Sequence, residues 1–103
     1  MYQLEYLPIA MQDIIEIARY ISQELGNPRG AERLADELIA AAESITDFPY
    51  SKPMHLAPKP LKHEYRRIAV KNYVIFYWVN EMEKRIVVAR VIYARRDFNK
   101  LLD

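Results

Sequence analysis

The sequence predicts an α+β domain: a helical hairpin packed on one face of an antiparallel sheet, in the order β-α-α-β-β-β, with a possible short C-terminal helix. Three observations predict it. Two amphipathic stripes of helical period lie between Pro8 and Phe48. Near Tyr65 the apolar period changes to that of strands. The three strand-like runs that follow are joined by turns too short for anything but antiparallel neighbours.

Each element has a local cause. "YQLEY" (2–6) alternates and is rich in β-formers, which predicts a short first strand. Pro8 suits the first position of a helix, where its missing N–H costs nothing. Met11, Ile14, Ile15, Ala18, Ile21 and Leu25 then form one stripe, with Asp13, Glu16, Arg19 and Glu24 off it. "GNPRG" (26–30) ends that helix: Gly26 accepts a left-handed cap and Pro28 blocks continuation. Ala31, Leu34, Ala35, Leu38, Ala41, Ala42, Ile45 and Phe48 form the second stripe, which gives a hairpin of helices over roughly 8–25 and 30–48. Residues 47–64 hold four of the six prolines and no period, which predicts a long loop of the kind that often carries function. "YRRIAV" (65–70), "YVIFYWVN" (73–80) and "RIVVARVIYA" (85–94) are the three strands. Lys71-Asn72 makes the first turn, with Asn72 expected to supply positive φ, and "EMEK" (81–84) makes the second.

The 103 residues fit a single domain, 1–103, whose 51% hydrophobic content suffices for a core. Without cysteine there is no disulfide framework and no thiolate metal site. The N-terminus lacks the basic and apolar regions of a signal peptide, and no apolar run approaches a membrane span of about 20 residues, so a cytoplasmic protein without membrane contact is expected.

Charge is unevenly spread. Residues 1–51 carry three basic and nine acidic side chains, net −6, and residues 52–103 carry twelve basic and five acidic, net +7. Such a split suggests a basic face meeting an anionic partner, though two solvated surfaces of different composition would give the same count. Lys59, Lys62, Arg66, Arg67 and Lys71 lie close together, and Arg90, Arg95 and Arg96 come from the last strand and its exit. Guanidinium forks match phosphate or carboxylate in a bidentate manner. Arg66, Arg67, Arg90, Arg95 and Arg96 are therefore candidate target-binding residues. Alternation puts Arg90 on one face with Val88 and Ile92, where an internal ion pair is an equal expectation. One of Arg95 and Arg96 is expected to pair with Asp97 or the chain end while the other meets a partner. Tyr73, Ile75 and Tyr77 share a strand face that suits the core. Val74, Phe76 and Trp78 share the opposite face, which the hairpin does not cover. With Tyr93 they are candidates for an apolar interaction surface.

Hydrolase chemistry finds few candidates. His55 and His63 flank the proline loop without a metal-binding spacing, two glycines cannot build a phosphate loop, and no serine sits in a nucleophile context. No metal and no cofactor are expected.

The element order, the hairpin "YRRIAVKNYVIFYWV" and the ending "VARVIYARRDF" resemble the RelE/ParE superfamily of bacterial type II toxins over nearly the whole chain. The resemblance implies a toxin neutralised by a cognate antitoxin, for which Val74, Phe76, Trp78 and Tyr93 are the candidate binding residues, with contact to DNA only indirectly through that antitoxin. RelE-like members are similar to ribosome-dependent mRNA endonucleases, and ParE-like members to inhibitors of DNA gyrase. The nuclease pattern has an arginine in the stretch that here reads Tyr73-Val74-Ile75-Phe76-Tyr77, so Val74 replaces it. Its arginine after the last strand is matched by Arg95, its tyrosine further on meets Leu101, and its two lysines are approximated by Arg66 and Arg67. Arginine is a poor general acid or base, so His63 would have to fill that role. The segment "YARRD" looks more like ParE. The resemblance thus implies a growth inhibitor of plasmid-stabilisation type acting on gyrase. The alternatives are an mRNA endonuclease, with ribosome and mRNA as partners, and a non-toxic antitoxin-binding module.

Overall fold

The computed structural model describes residues 1–102. Its elements are β1 (Gln3–Tyr6), α1 (Pro8–Arg19), α2 (Pro28–Glu43), β2 (Arg66–Val70), β3 (Tyr73–Asn80), β4 (Arg85–Tyr93) and α3 (Phe98–Leu101). The four strands form one sheet in the order β1-β4-β3-β2. β2, β3 and β4 are the expected antiparallel meander. β1 departs from the all-antiparallel expectation: it pairs with β4 in parallel, Gln3 opposite Arg85 through Tyr6 opposite Val88, so the sheet is mixed. The meander leaves the outer edge of β4 free, and the crossover through α1 and α2 lets β1 fill it in the same direction.

Pro8 is at the start of α1, as its fixed φ favours. The last turn of that helix widens into a π-helical segment, Tyr20–Glu24, and Gly26 follows at φ +61°. Asn27 caps α2, its side chain accepting the Gly30 N–H at 3.0 Å. α2 stops at Glu43, short of the expected Phe48, which is 72% exposed. Ser44 and Thr46 hydroxyls donate to the Ala41 and Glu43 carbonyls, which offers the chain an alternative to further helix. At the β2–β3 turn it is Lys71, not Asn72, that takes positive φ (54°), and Lys84 does the same before β4.

The sheet buries both faces. On one, Ile68, Ile75, Tyr77, Ile86, Val88 and Val91 pack against Ala10, Ile14, Leu34, Leu38 and Ala42 of the hairpin. On the other, Val74, Phe76, Ala89 and Ile92 form a second core with Tyr65 and Leu102, joined by Leu61, Phe98 and Leu101. The face expected to be open or partly covered by the tail is closed by the C-terminal tail together with the proline loop. A bulge changes the register of β4: Phe76 is opposite Arg90 but Tyr77 is opposite Val88. It places Val88 in the first core and Ile92 in the second, so these two do not share a face with each other or, jointly, with Arg90.

Candidate functional site

The bulge turns Arg90 toward the sheet edge that β1 vacates beyond Tyr6. Asp13, one turn into α1, meets it there. Arg90 Nε and Nη2 donate to the two carboxylate oxygens at 2.8 and 3.0 Å, and the Val91 N–H donates to the same carboxylate at 2.9 Å. Arg90 Nη1 donates to the Leu101 carbonyl at 2.9 Å. The Asp13 bond is the main reason the guanidinium pKa rises above its usual value, against the opposing effect of burial. As a target-binding residue Arg90 is corrected: its fork is consumed inside the molecule, where it ties α1, β4 and the tail together.

Arg66 is corrected in part for the same reason. Its Nη1 donates to the Lys52 carbonyl at 2.7 Å and its guanidinium lies 5.1 Å from the Tyr50 ring centre. It props the proline loop against β2, whose edge that loop covers through the Met54–Arg66 bridge and the His55 and Arg67 N–H groups. Tyr50 and Tyr2 hydroxyls both donate to Glu81 at 2.7 Å, and Lys84 donates to the other oxygen of that carboxylate.

Arg67, Arg95 and Arg96 remain exposed, with no ion-pair partner among the described residues. Asp97 does not pair with either arginine. Its Oδ1 accepts the Asn99 N–H at 3.1 Å and caps α3. A pairing with the chain end lies outside the described residues. Arg67 lines a cleft of about 540 Å³ with Lys52, Ala69, Val74, Ala94 and Phe98. The Ala94 N–H donates to the Asn72 carbonyl at 2.8 Å, which fixes the Arg95-Arg96 exit beside the Lys71-Asn72 turn. Lys52, Arg67, Lys71 and Arg95 thus border one rim, and Arg96 continues it to a second cleft of about 680 Å³ that it lines with Glu16, Tyr20 and Tyr93. Lys52 was not singled out from sequence, because nothing in an aperiodic loop says which residue returns to the sheet.

The four residues expected to form an apolar interaction surface separate. Phe76 is 0% and Val74 9% exposed, and both are corrected to core. Phe76 meets Phe98 and His55 edge-on. Trp78 is half-buried, and its outer side carries the His63 ring, stacked at 3.7 Å with 3° between planes. Tyr93 is 40% exposed but lies beside Tyr73, a residue of the hairpin side. His55 Nε2 is 3.2 Å from Asn99 Oδ1. Both histidines therefore pack and bridge loop to sheet. Exposed apolar side chains lie elsewhere: Ile9, Met11 and Ile15 together on α1, Tyr20 and Leu25 at the hairpin tip, and Phe48, Met54 and Leu56 singly along the proline loop. No group of three or more acidic or histidine side chains able to hold a metal occurs among the described residues, and no described helix is long and apolar enough to cross a membrane.

Comparison with known proteins agrees with this architecture. The family model for the ParE toxin of the type II toxin–antitoxin system, parDE, matches residues 4–98. No curated protein sequence matches the chain. Among solved structures, the chromosomal ParDE toxin–antitoxin system from P. aeruginosa aligns with TM-score 0.74 at 14% identity, covering 92% of this chain and 98% of that one. The RelBE2 toxin–antitoxin complex from Mycobacterium tuberculosis aligns with TM-score 0.61 at 16% identity, covering 89% and 96%. The isolated E. coli RelE toxin aligns with TM-score 0.56 at 18% identity, covering 94% and 88%. At these identities the structural likenesses establish the fold alone.

Proposed function

We propose that this chain, which belongs to the ParE toxin family of type II toxin–antitoxin systems, inhibits growth by binding DNA gyrase, without catalysis of its own, and is neutralised by a cognate antitoxin. The observation that carries the choice of target is the fate of two positions. Where the nuclease pattern has arginine and tyrosine, this chain has Val74, which is 9% exposed, and Leu101, and both pack in the second core. Cleavage by a ribose 2′-hydroxyl needs a proton acceptor, a donor and cations around the phosphate. The titratable groups of the Arg67 cleft are cations only: neither histidine lines it, His63 being stacked on Trp78 and His55 packed edge-on against Phe76 and Phe98.

The rim of Arg67, Arg95 and Arg96 is the target-facing surface in this reading. The antitoxin covers the exposed apolar side chains of α1 and the hairpin tip, with Trp78 and Tyr93 as the accessible members of the sheet. The similar structures are a ParDE toxin–antitoxin system and a RelBE2 toxin–antitoxin complex, which supports an antitoxin as partner. The deciding experiment is a paired assay on the purified chain. Supercoiling by gyrase should be inhibited in a dose-dependent way and rescued by antitoxin, while mRNA on ribosomes stays intact. Cleaved mRNA with unaffected supercoiling would reverse the assignment.

A further inference from the structure

We infer that the basic rim binds the phosphate backbone of duplex DNA directly, so that the toxin grips the DNA its target holds as well as the target. This rests on the reading of the rim as the target-facing surface, and it replaces the expectation that DNA is reached only through the antitoxin.

The grouping of the cations carries the argument. Arg85, Arg90 and Lys84 are each in an ion pair, and Arg66 donates to the loop backbone; Arg29 and Arg33 on α2 have no ion-pair partner among the described residues but share that helix with Glu32, Asp36 and Glu37. On the rim, Lys52, Arg67, Lys71, Arg95 and Arg96 have no ion-pair partner among the described residues. Asp97, the acid nearest to them in sequence, directs a carboxylate oxygen to its own helix cap. A set of cations left unpaired together on a chain of net charge +1 is an anion-binding surface rather than a by-product of overall charge.

Its dimensions and its aromatics suit duplex backbone. From Arg67 to Lys71 the chain runs about 13 Å at ~3.3 Å per residue. A DNA strand places a phosphate every ~3.4 Å along the axis, so the rim faces about four nucleotides of one strand. Single-stranded RNA is gripped mainly by stacking on open aromatic faces. The aromatic ring in this cleft, Phe98, is instead packed edge-on against Phe76 and His55, and Tyr93 lies beside Tyr73. The rim thus offers charge without a stacking platform.

The test is fluorescence anisotropy of a labelled duplex of about 20 base pairs titrated with the full chain, with no gyrase present. Five phosphate contacts give a slope of about −4.5 in log affinity against log salt, so binding should weaken a few hundred-fold from about 50 to about 200 mM salt. Arg67→Ala and Arg95→Ala should each reduce the steepness by about 1. Arg29→Ala and Arg33→Ala, exposed charges on α2, should leave it unchanged although they remove the same charge. Four results would overturn the inference: no binding at low salt; equal loss with the α2 variants; competition by poly-glutamate as strong as by unlabelled duplex, which would make the rim a protein-binding surface; or tighter binding of single-stranded RNA. Supercoiling assays on the same variants separate the two proposals. Inhibition without duplex binding removes this inference alone, and duplex binding without inhibition removes the gyrase reading alone.

Discussion

Arg90 and Asp13 are 77 residues apart in sequence, yet one carboxylate receives two guanidinium donors and the Val91 backbone N–H. The carboxylate stands where β1 would have supplied the next carbonyl, so it closes the sheet edge with a side chain. The pair is largely buried, its side chains 19% and 11% exposed.

Asp13→Ala therefore strands a guanidinium and a backbone donor together. Removing one partner of such a pair costs about 3–5 kcal/mol, because the other is left uncompensated. Urea unfolding should show a large drop in midpoint. Replacing both residues by apolar ones of similar size, Asp13→Leu with Arg90→Met, should recover much of it. An unchanged midpoint in Asp13→Ala would mean the contact contributes nothing. Loss of toxicity on mutating Arg90 should track loss of fold.

Phe76→Ala should destabilise the domain by about 3–5 kcal/mol, as for other fully buried aromatics, since Phe76 is 0% exposed. Ile15→Ser, on the exposed face of α1, should shift stability by no more than about 0.5 kcal/mol and yet weaken antitoxin binding in calorimetry. A stable Phe76→Ala protein with weakened antitoxin binding would return the interface to the sheet.

The element order was readable because helix and strand periods are local. The stripes of α1 and α2, the Gly26 cap and the alternation of β3 need only neighbouring residues. What was not readable depends on distant partners. The direction of β1 is decided by β4 about 80 residues later. The bulge that re-aims Arg90 has no mark in "VVARVI". The apolar character of Val74, Phe76 and Trp78 was legible, but their cover was not, because the four residues of α3 are too few to show a stripe. Asp13 read as an ordinary polar residue off the helix stripe. The exposed arginines of the rim were legible from charge, whereas Lys52 joins them only through the path of the proline loop.

Alkaline pH should weaken the fold through Tyr77. Its hydroxyl donates to the Pro49 carbonyl at 2.6 Å in the core, and burial pushes its pKa up to about 12, with Arg66 opposing. The folded state thus holds the proton more tightly than the unfolded one, whose pKa is about 10. The stabilisation is complete below pH ~10 and is lost as pH rises from there through the folded value. Tyr77→Phe should cost about 1–2 kcal/mol at neutral pH, the Pro49 carbonyl losing its donor. Its stability should also be flatter than the parent's between pH ~10 and ~12. Identical alkaline profiles would show that another group governs that range.

Growth inhibition should depend on the rim and not on a proton-transfer residue. The chain has two histidines, and both are held in packing contacts: His63 on Trp78 and Tyr65, His55 between Phe76 and Phe98. His63→Ala should leave toxicity in an inducible host nearly intact, with a modest loss of stability from the vacated stack. Arg67→Ala and Arg95→Ala should each relieve growth inhibition, because each removes a fork able to make a charge-assisted bond of about 1.5–3 kcal/mol, roughly a ten- to hundred-fold loss of target affinity. Both side chains are exposed and unpaired among the described residues, so thermal unfolding of these variants should match the parent. That match distinguishes a lost contact from a lost fold. If His63→Ala abolished toxicity while Arg67→Ala and Arg95→Ala retained it, proton transfer at the proline loop would replace the rim as the basis of action.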